Sequence, residues 1–214
     1  MKQFVVIGCG RFGSSVAENL YKLGHDVLAI DGHEETVQNI SDKVTHAVQV
    51  DATDEHALRS LGLRNFDVAV ITIGSHIQSS IMATLIVKEL GVKYVVAKAQ
   101  SELHAKVLYK IGADRVVFPE RDMGMRVAHN LVATNILDYI ELAPEYSIME
   151  ITTIDEWHEK TLLDLNIRSR YGINIMAIKH GNHINVSPTA NDVVHRGDVL
   201  VVIGHNNDLK RLQK

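Results

Sequence analysis

The sequence predicts an α/β fold, a doubly wound parallel sheet followed by a smaller α+β lobe, and three observations carry that prediction. Short β-branched apolar runs alternate with helix-like segments over the first half of the chain. Glycines stand at 24, 62, 91 and 112, each just past an apolar stretch, where a left-handed C-cap releases the chain toward the next strand. From about residue 136 the rhythm changes to strand-like segments joined by turns.

The apolar runs are FVVIG (4–8), DVLAID (26–31), HAVQV (46–50), VAVITIG (68–74), YVVAKA (94–99) and RVVF (115–118). Between them the helical expectations are 12–23, 34–40, 54–61, 77–90, 101–111 and 122–134. Strands apolar on both faces and separated by crossover helices imply a parallel sheet covered on each side. In the second half SIMEITTI (147–154), INIMAIK (173–179) and VLVVIG (199–204) read as strands, and TLLDLNI (161–167) as a short helix. GNHIN (181–185) and HRGD (195–198) read as turns, and LAPEYS (142–147) as the way into this lobe. The expected domains are 1–134 and 135–214.

The 214 residues carry a formal net charge of -4, 46% apolar and 22% charged residues, ordinary for a folded domain pair. That balance gives no electrostatic footprint for nucleic acid. Cys9 is the only cysteine, which excludes an intrachain disulfide or a thiolate-rich metal site. No apolar run approaches the roughly 18–20 residues of a membrane span, so a membrane role is expected to run through a partner.

Gly8, Gly10 and Gly13 form G-x-G-x-x-G between an apolar run and a helix pattern. That setting is the Rossmann phosphate loop. The first glycine permits the turn, the second lets a pyrophosphate approach the backbone, and the third lets the helix pack closely. Arg11 inside the loop can clamp phosphate, and Phe12 reads as a packing residue under it. Asp31 closes the second run, where a carboxylate accepts ribose hydroxyls and repels a 2′-phosphate. Asp51, Ala52 and Thr53 follow the third run on the same sheet edge; Asp51 can meet adenine, while Thr53 can equally cap the next helix. Ile73, Gly74, Lys98 and Glu120 reach that edge too. Lys98 suits phosphate, and Glu120 suits a cation, an arginine of another subunit, or simply a helix dipole.

No S-x-x-K, G-x-S-x-G, H-E-x-x-H or C-x-x-C occurs, and no acid–base pair stands out. The chain is therefore expected to be a ligand-sensing regulator and not an enzyme. An NAD(H)-binding redox sensor or small NAD-dependent oxidoreductase is the alternative, since the glycine loop and Asp31 suit NAD equally. A redox repressor is disfavoured by the acidic balance and by a chain that starts at its first strand.

The segments VVIGCGRFGSSVAENL, VDATDE, ITIG, VAKAQ, IGADRVVFPERDMG and IRSRYGINIMAIKHG resemble the Ktr-type RCK (regulator of potassium conductance) proteins, over essentially the whole chain. The resemblance implies a cytosolic gating subunit of a bacterial potassium uptake system, peripheral on the inner face of the membrane. Its first lobe would bind ATP or ADP, and sometimes NAD or NADH. Its smaller RCK C-terminal lobe would bind cyclic di-AMP at a dimer interface. Homodimers would assemble as an octameric ring beneath the membrane potassium-translocating subunit, ATP favouring the active ring and ADP the inactive one. Carried over by motif, Gly8, Gly10, Arg11, Phe12 and Gly13 match the phosphate loop, Asp31 the ribose acid, and Asp51, Ala52 and Thr53 the adenine side. Arg11 matches the arginine near the terminal phosphate. Glu120 matches the glutamate that meets it from the adjacent subunit, where a divalent cation (Mg or Ca) can also bind. Ile167, Arg168, Asn174, Ile175, His183 and Pro188 match the cyclic di-AMP contacts.

Overall fold

A computed structural model of the chain describes residues 1–74, 76–132 and 136–212. They form two compact units, Met1–Pro119 and Glu120–Lys214. The boundary expected at 134/135 itself falls outside the described residues, as does Ser75 of the ITIGS segment.

The first unit runs β1 (Gln3–Ile7), α1 (Arg11–Lys22), β2 (Asp26–Asp31), α2 (Glu34–Ile40), β3 (His46–Gln49), α3 (Glu55–Ser60), β4 (Val68–Ile71), α4 (Ile77–Glu89), β5 (Tyr94–Lys98), α5 (Glu102–Lys110) and β6 (Arg115–Val117). The strands are parallel in the order β3-β2-β1-β4-β5-β6. Because successive strand residues face opposite sides, β1 supplies two cores at once. Val5 and Ile7 join Ile30, Ile71 and Val95 under Leu58, Val87 and Leu108 of α3, α4 and α5. Val6 joins Val27, Ala29 and Val70 under Ala17 of α1 and Ile40 of α2. All three β1 side chains are fully buried, each worth about 1.5–3 kcal/mol. On this second side, Phe4, Phe12, Val16, Val70, Val96 and Val117 line an open apolar groove of about 790 Å³.

The second unit runs α6 (Pro119–Val132), β7 (Ile136–Ala143), β8 (Tyr146–Thr152), β9 (Lys160–Thr161), α7 (Leu162–Leu165), α8 (Ile167–Tyr171), β10 (Asn174–His180), β11 (His183–Asn185), β12 (Val193–Val194), β13 (Val199–His205) and α9 (Asn206–Leu209). Its main sheet is antiparallel in the order β11-β10-β13-β8-β7, with a separate β12-β9 pair. Met149 and Ile151 of β8 lie opposite Val202 and Leu200 of β13, and these pack with Trp157, Leu165 and Ile173 into a core. The Trp157 and Tyr171 rings meet edge-on at 5.6 Å.

Four local expectations change, the first being GNHIN, expected as a turn, whose His183–Asn185 form β11 paired with β10. The passage LAPEYS is a hairpin turn and not a linker, because ILDYIELA before it pairs with β8 as β7. The helix expected at 161–167 is two helices, broken at Asn166, whose backbone is left-handed (φ 44, ψ 44). The helix expected at 122 begins at Pro119, a residue favoured at the first helical position, where no backbone N–H is needed. Helix α6 groups with the second unit; Arg126 on it donates to both oxygens of Asp138 on β7, at 2.7 and 2.9 Å.

Candidate functional site

The sheet order reverses between β2-β1 and β4-β5, and ligands of open parallel sheets bind outside the carboxyl ends of the strands at such a point. The glycine loop stands there, between β1 and α1. Gly8 takes φ +94, and a Cβ on it would lie 2.9 Å from Ile73 N, so both conformation and space require glycine. A Cβ on Gly13 would fall on the Gly8 carbonyl oxygen and within 2.5 Å of Thr72 Oγ1. Gly10 caps α1 with no side-chain hydrogen bond and no acid in the first turn. The first amides of α1 have no partner within the helix and carry the positive end of its dipole, an arrangement suited to an anion.

Asp31 does two things. Its Oδ2 accepts from Cys9 N at 2.7 Å and its Oδ1 from His33 N at 2.9 Å, which ties β2 to the loop. Further lone pairs remain for ribose hydroxyls. Cys9 is buried, and that burial, with the Asp31 charge beside it, pushes its thiol up to about 12, so it is a packing residue and not a nucleophile. Arg11 is exposed at the head of α1. The Phe12 side chain lines the apolar groove, so what it offers the loop is its backbone N–H.

Asp51 Oδ1 accepts from Thr53 N at 2.9 Å and Thr53 Oγ1 at 2.7 Å. Those two bonds hold its carboxyl below the ordinary aspartate range. Thr53 does not cap α3; Asp54 does, accepting from Ala57 N at 3.0 Å. Ala52 and Ile73 pack on the core beneath the edge. Lys98 Nζ lies 3.4 Å from where a Cβ on Gly74 would stand, which puts an ammonium at the ends of β4 and β5. Glu120 is the second residue of α6 and belongs to the second unit. Among the described residues no group of three or more His, Cys, Asp or Glu is arranged to hold a metal ion.

The second unit has a cleft of about 270 Å³ lined by Arg168, Asn174, Ile175, Asn166, Leu163 and neighbours. Ile167 lines it too, but is only 4% exposed and belongs mainly to the core. His183 and Pro188 are not part of its lining; His183 opens β11 opposite His180. The sequence reading does not single out Leu162, Leu163, Asn166 or Ala190, because α7, its left-handed stop and the turn at 190 meet only in three dimensions. Thr72 is also missed; its one signal is a hydroxyl at the end of an otherwise apolar strand.

A glycine loop at the switch point of a 3-2-1-4-5-6 sheet makes the first unit a Rossmann nucleotide-binding fold. Residues 4–119 match the TrkA-N domain family and residues 148–214 the TrkA-C domain family. The chain is 51% identical over 213 residues to the Ktr system potassium uptake protein C of Bacillus subtilis, covering 100% of this chain and 96% of that one. It is 47% identical over 212 residues to the Ktr system potassium uptake protein A of the same organism, covering 99% and 96%. Among solved structures the GsuK channel bound to NAD matches in fold, with a TM-score of 0.68 at 18% identity, over 97% of this chain and 38% of that one. The chain belongs to the Ktr family of RCK regulatory subunits.

Proposed function

We propose that this chain is the cytosolic subunit that gates a membrane potassium-translocating subunit in response to nucleotides. The observation that carries the reading is the glycine loop with its free α1 amides, in a chain that matches potassium uptake proteins end to end. No described helix is long and apolar enough to cross a membrane, which agrees with a subunit that reaches the bilayer through its partner.

In this reading the first lobe, 1–134, holds ATP or ADP. The loop amides take the pyrophosphate, Asp31 the ribose and Asp51 the adenine edge. Lys98 and Arg11 serve the outer phosphates. Glu120 comes from an adjacent subunit, with or without a divalent cation (Mg or Ca), to the terminal phosphate. A ligand moves such a protein only through unequal affinity for two conformations, and the γ-phosphate is the group ATP has and ADP lacks. The second lobe, 135–214, takes cyclic di-AMP across a dimer axis. Arg168 and Asn174 of each copy meet one phosphate, and Ile175 supplies an apolar wall, so a symmetric ligand meets a symmetric cleft. Assembly of homodimers into an octameric ring is supported by apolar surface left open in one copy: the groove on the first unit's sheet, and exposed Met123, Met125, Val127 and Leu131 on α6. The subunit acts by gating and carries out no catalysis.

Titration calorimetry on nucleotide-stripped protein tests this with ATP, ADP, NADH and cyclic di-AMP. The expected result is saturable ATP and ADP binding, plus independent cyclic di-AMP binding at one per two chains. Tight NADH binding with neither ATP nor cyclic di-AMP would instead identify an NAD(H) redox sensor or oxidoreductase.

A further inference from the structure

The glycine loop is held by side chains from the ends of two neighbouring strands. Thr72 directly follows β4 and is 6% exposed. Its Oγ1 donates to the Gly8 carbonyl oxygen, with the Ile7 carbonyl 3.1 Å away. Asp31 holds the other end of the same peptide unit through Cys9 N. The Gly8–Cys9 peptide plane is therefore gripped from both sides, by a hydroxyl beyond β4 and a carboxylate on β2.

The next two carbonyls are also taken. Ser14 Oγ donates to Cys9 O at 2.6 Å, and Ser14 N donates to Gly10 O at 2.8 Å. Three successive carbonyls of the loop are thus turned onto protein donors, and the N–H groups at the head of α1 are left for an anion. A peptide unit next to Gly8, at φ +94, has more rotational freedom than most, because glycine carries no Cβ to restrict it. Without the Thr72 hydroxyl, the Gly8 carbonyl would lose its donor and could regain one only by rotating toward solvent, which is the phosphate side.

We propose that Thr72 is a positioning residue: its hydroxyl fixes the Gly8 carbonyl so that the loop presents amides, and not carbonyl oxygens, to a pyrophosphate. This rests on the nucleotide reading of the first lobe. It deepens that reading by assigning the loop's shape to a side chain beyond β4.

The test compares wild type with Thr72→Val, which keeps the shape and removes the donor, and Thr72→Ser, which keeps the donor, all in the full chain. Affinities for ADP and for adenosine are measured, the latter by competition. Thr72→Val should bind ADP about tenfold more weakly, the effect of losing roughly one buried hydrogen bond, and adenosine as wild type does. Thr72→Ser should restore ADP binding, an outcome a merely structural role for the methyl group would not give. Equal weakening toward both ligands, or no weakening of ADP, would overturn the proposal. Should Thr72→Val fail to fold, Thr72→Cys keeps the comparison, since a thiol is a weaker donor of similar size and should fall between Ser and a non-donor. Thr72→Cys binding ADP as tightly as Thr72→Ser would count against it. Wild type that binds no nucleotide at all would refute the site reading itself, a result separate from any difference among the variants.

Discussion

At the scale of the residue, the consequential side chains are those that hold backbone. Asp31, expected as a ribose acid, grips the loop, so its loss would remove a loop anchor together with the proposed ribose contact. Asp138 is similar in kind. The Arg126 guanidinium, and then the Tyr139 amide, hold its carboxyl below the ordinary aspartate value of 3.8. A carboxylate with a depressed folded pKa stabilises the fold above its ordinary pKa, and that contribution disappears as pH falls through the folded pKa. Asp138→Asn should therefore lower the melting temperature at neutral pH, with the gap to wild type closing only below about pH 4. Melting curves of equal offset at every pH would show that the ion pair is not responsible. Arg168 belongs to the other unit's cleft. Arg168→Ala should cut cyclic di-AMP affinity by at least about tenfold, as loss of a charge-assisted pair does, and leave ATP affinity unchanged. Unchanged cyclic di-AMP binding by calorimetry would remove Arg168 from that role.

At the scale of the element, the parallel sheet was legible because buried strands leave an unmistakable mark: FVVI, VLAI and VAVI are apolar on both faces. The antiparallel lobe was less legible. In β7 the run ILDYIELA mixes acids with apolar residues, and its pairing with β8 includes two register shifts, so the period-2 pattern is interrupted. The break between α7 and α8 was also missed, since asparagine is an ordinary residue in a helix pattern until its left-handed backbone is seen. That backbone makes a prediction. Asn166→Ala should cost about 1 kcal/mol, the strain of a left-handed alanine, whereas Asn166→Gly should fold as stably as wild type. Equal stability of Ala and Gly in chemical denaturation would mean the chain can relax this turn. The same kink sets where Arg168 leaves the backbone, so Asn166→Ala should also weaken cyclic di-AMP binding.

At the scale of the whole molecule, each unit closes its own hydrophobic core, yet one copy leaves apolar surface open on the sheet groove and on α6. Such surface suits a protein that acts as an assembly. In the proposed function Arg11 couples assembly to nucleotide state, and the structure has it exposed at the head of α1 beside the glycine loop. Arg11→Ala should retain ADP binding but narrow the difference in solution scattering between the ATP and ADP states. A scattering difference as large as that of wild type would show that γ-phosphate sensing lies elsewhere.

The sequence by itself determined the parallel sheet, the glycine loop and the acid at the end of β2. Each of these is local, a run of consecutive residues whose pattern depends on nothing distant. The grouping of Arg168, Asn174 and Ile175 came instead from the family resemblance, and the cleft brings the three together. Tertiary structure alone decided what secures them. The Thr72 hydroxyl reaches Gly8 across 64 positions, and Asp31 reaches Cys9 across 22. The cleft joins α7, α8, the start of β10 and Ala190, while His183 and Pro188 are not part of its lining. Contacts between side chains and distant backbone leave no periodic trace in a sequence, because they are made by the fold and not by neighbours in the chain.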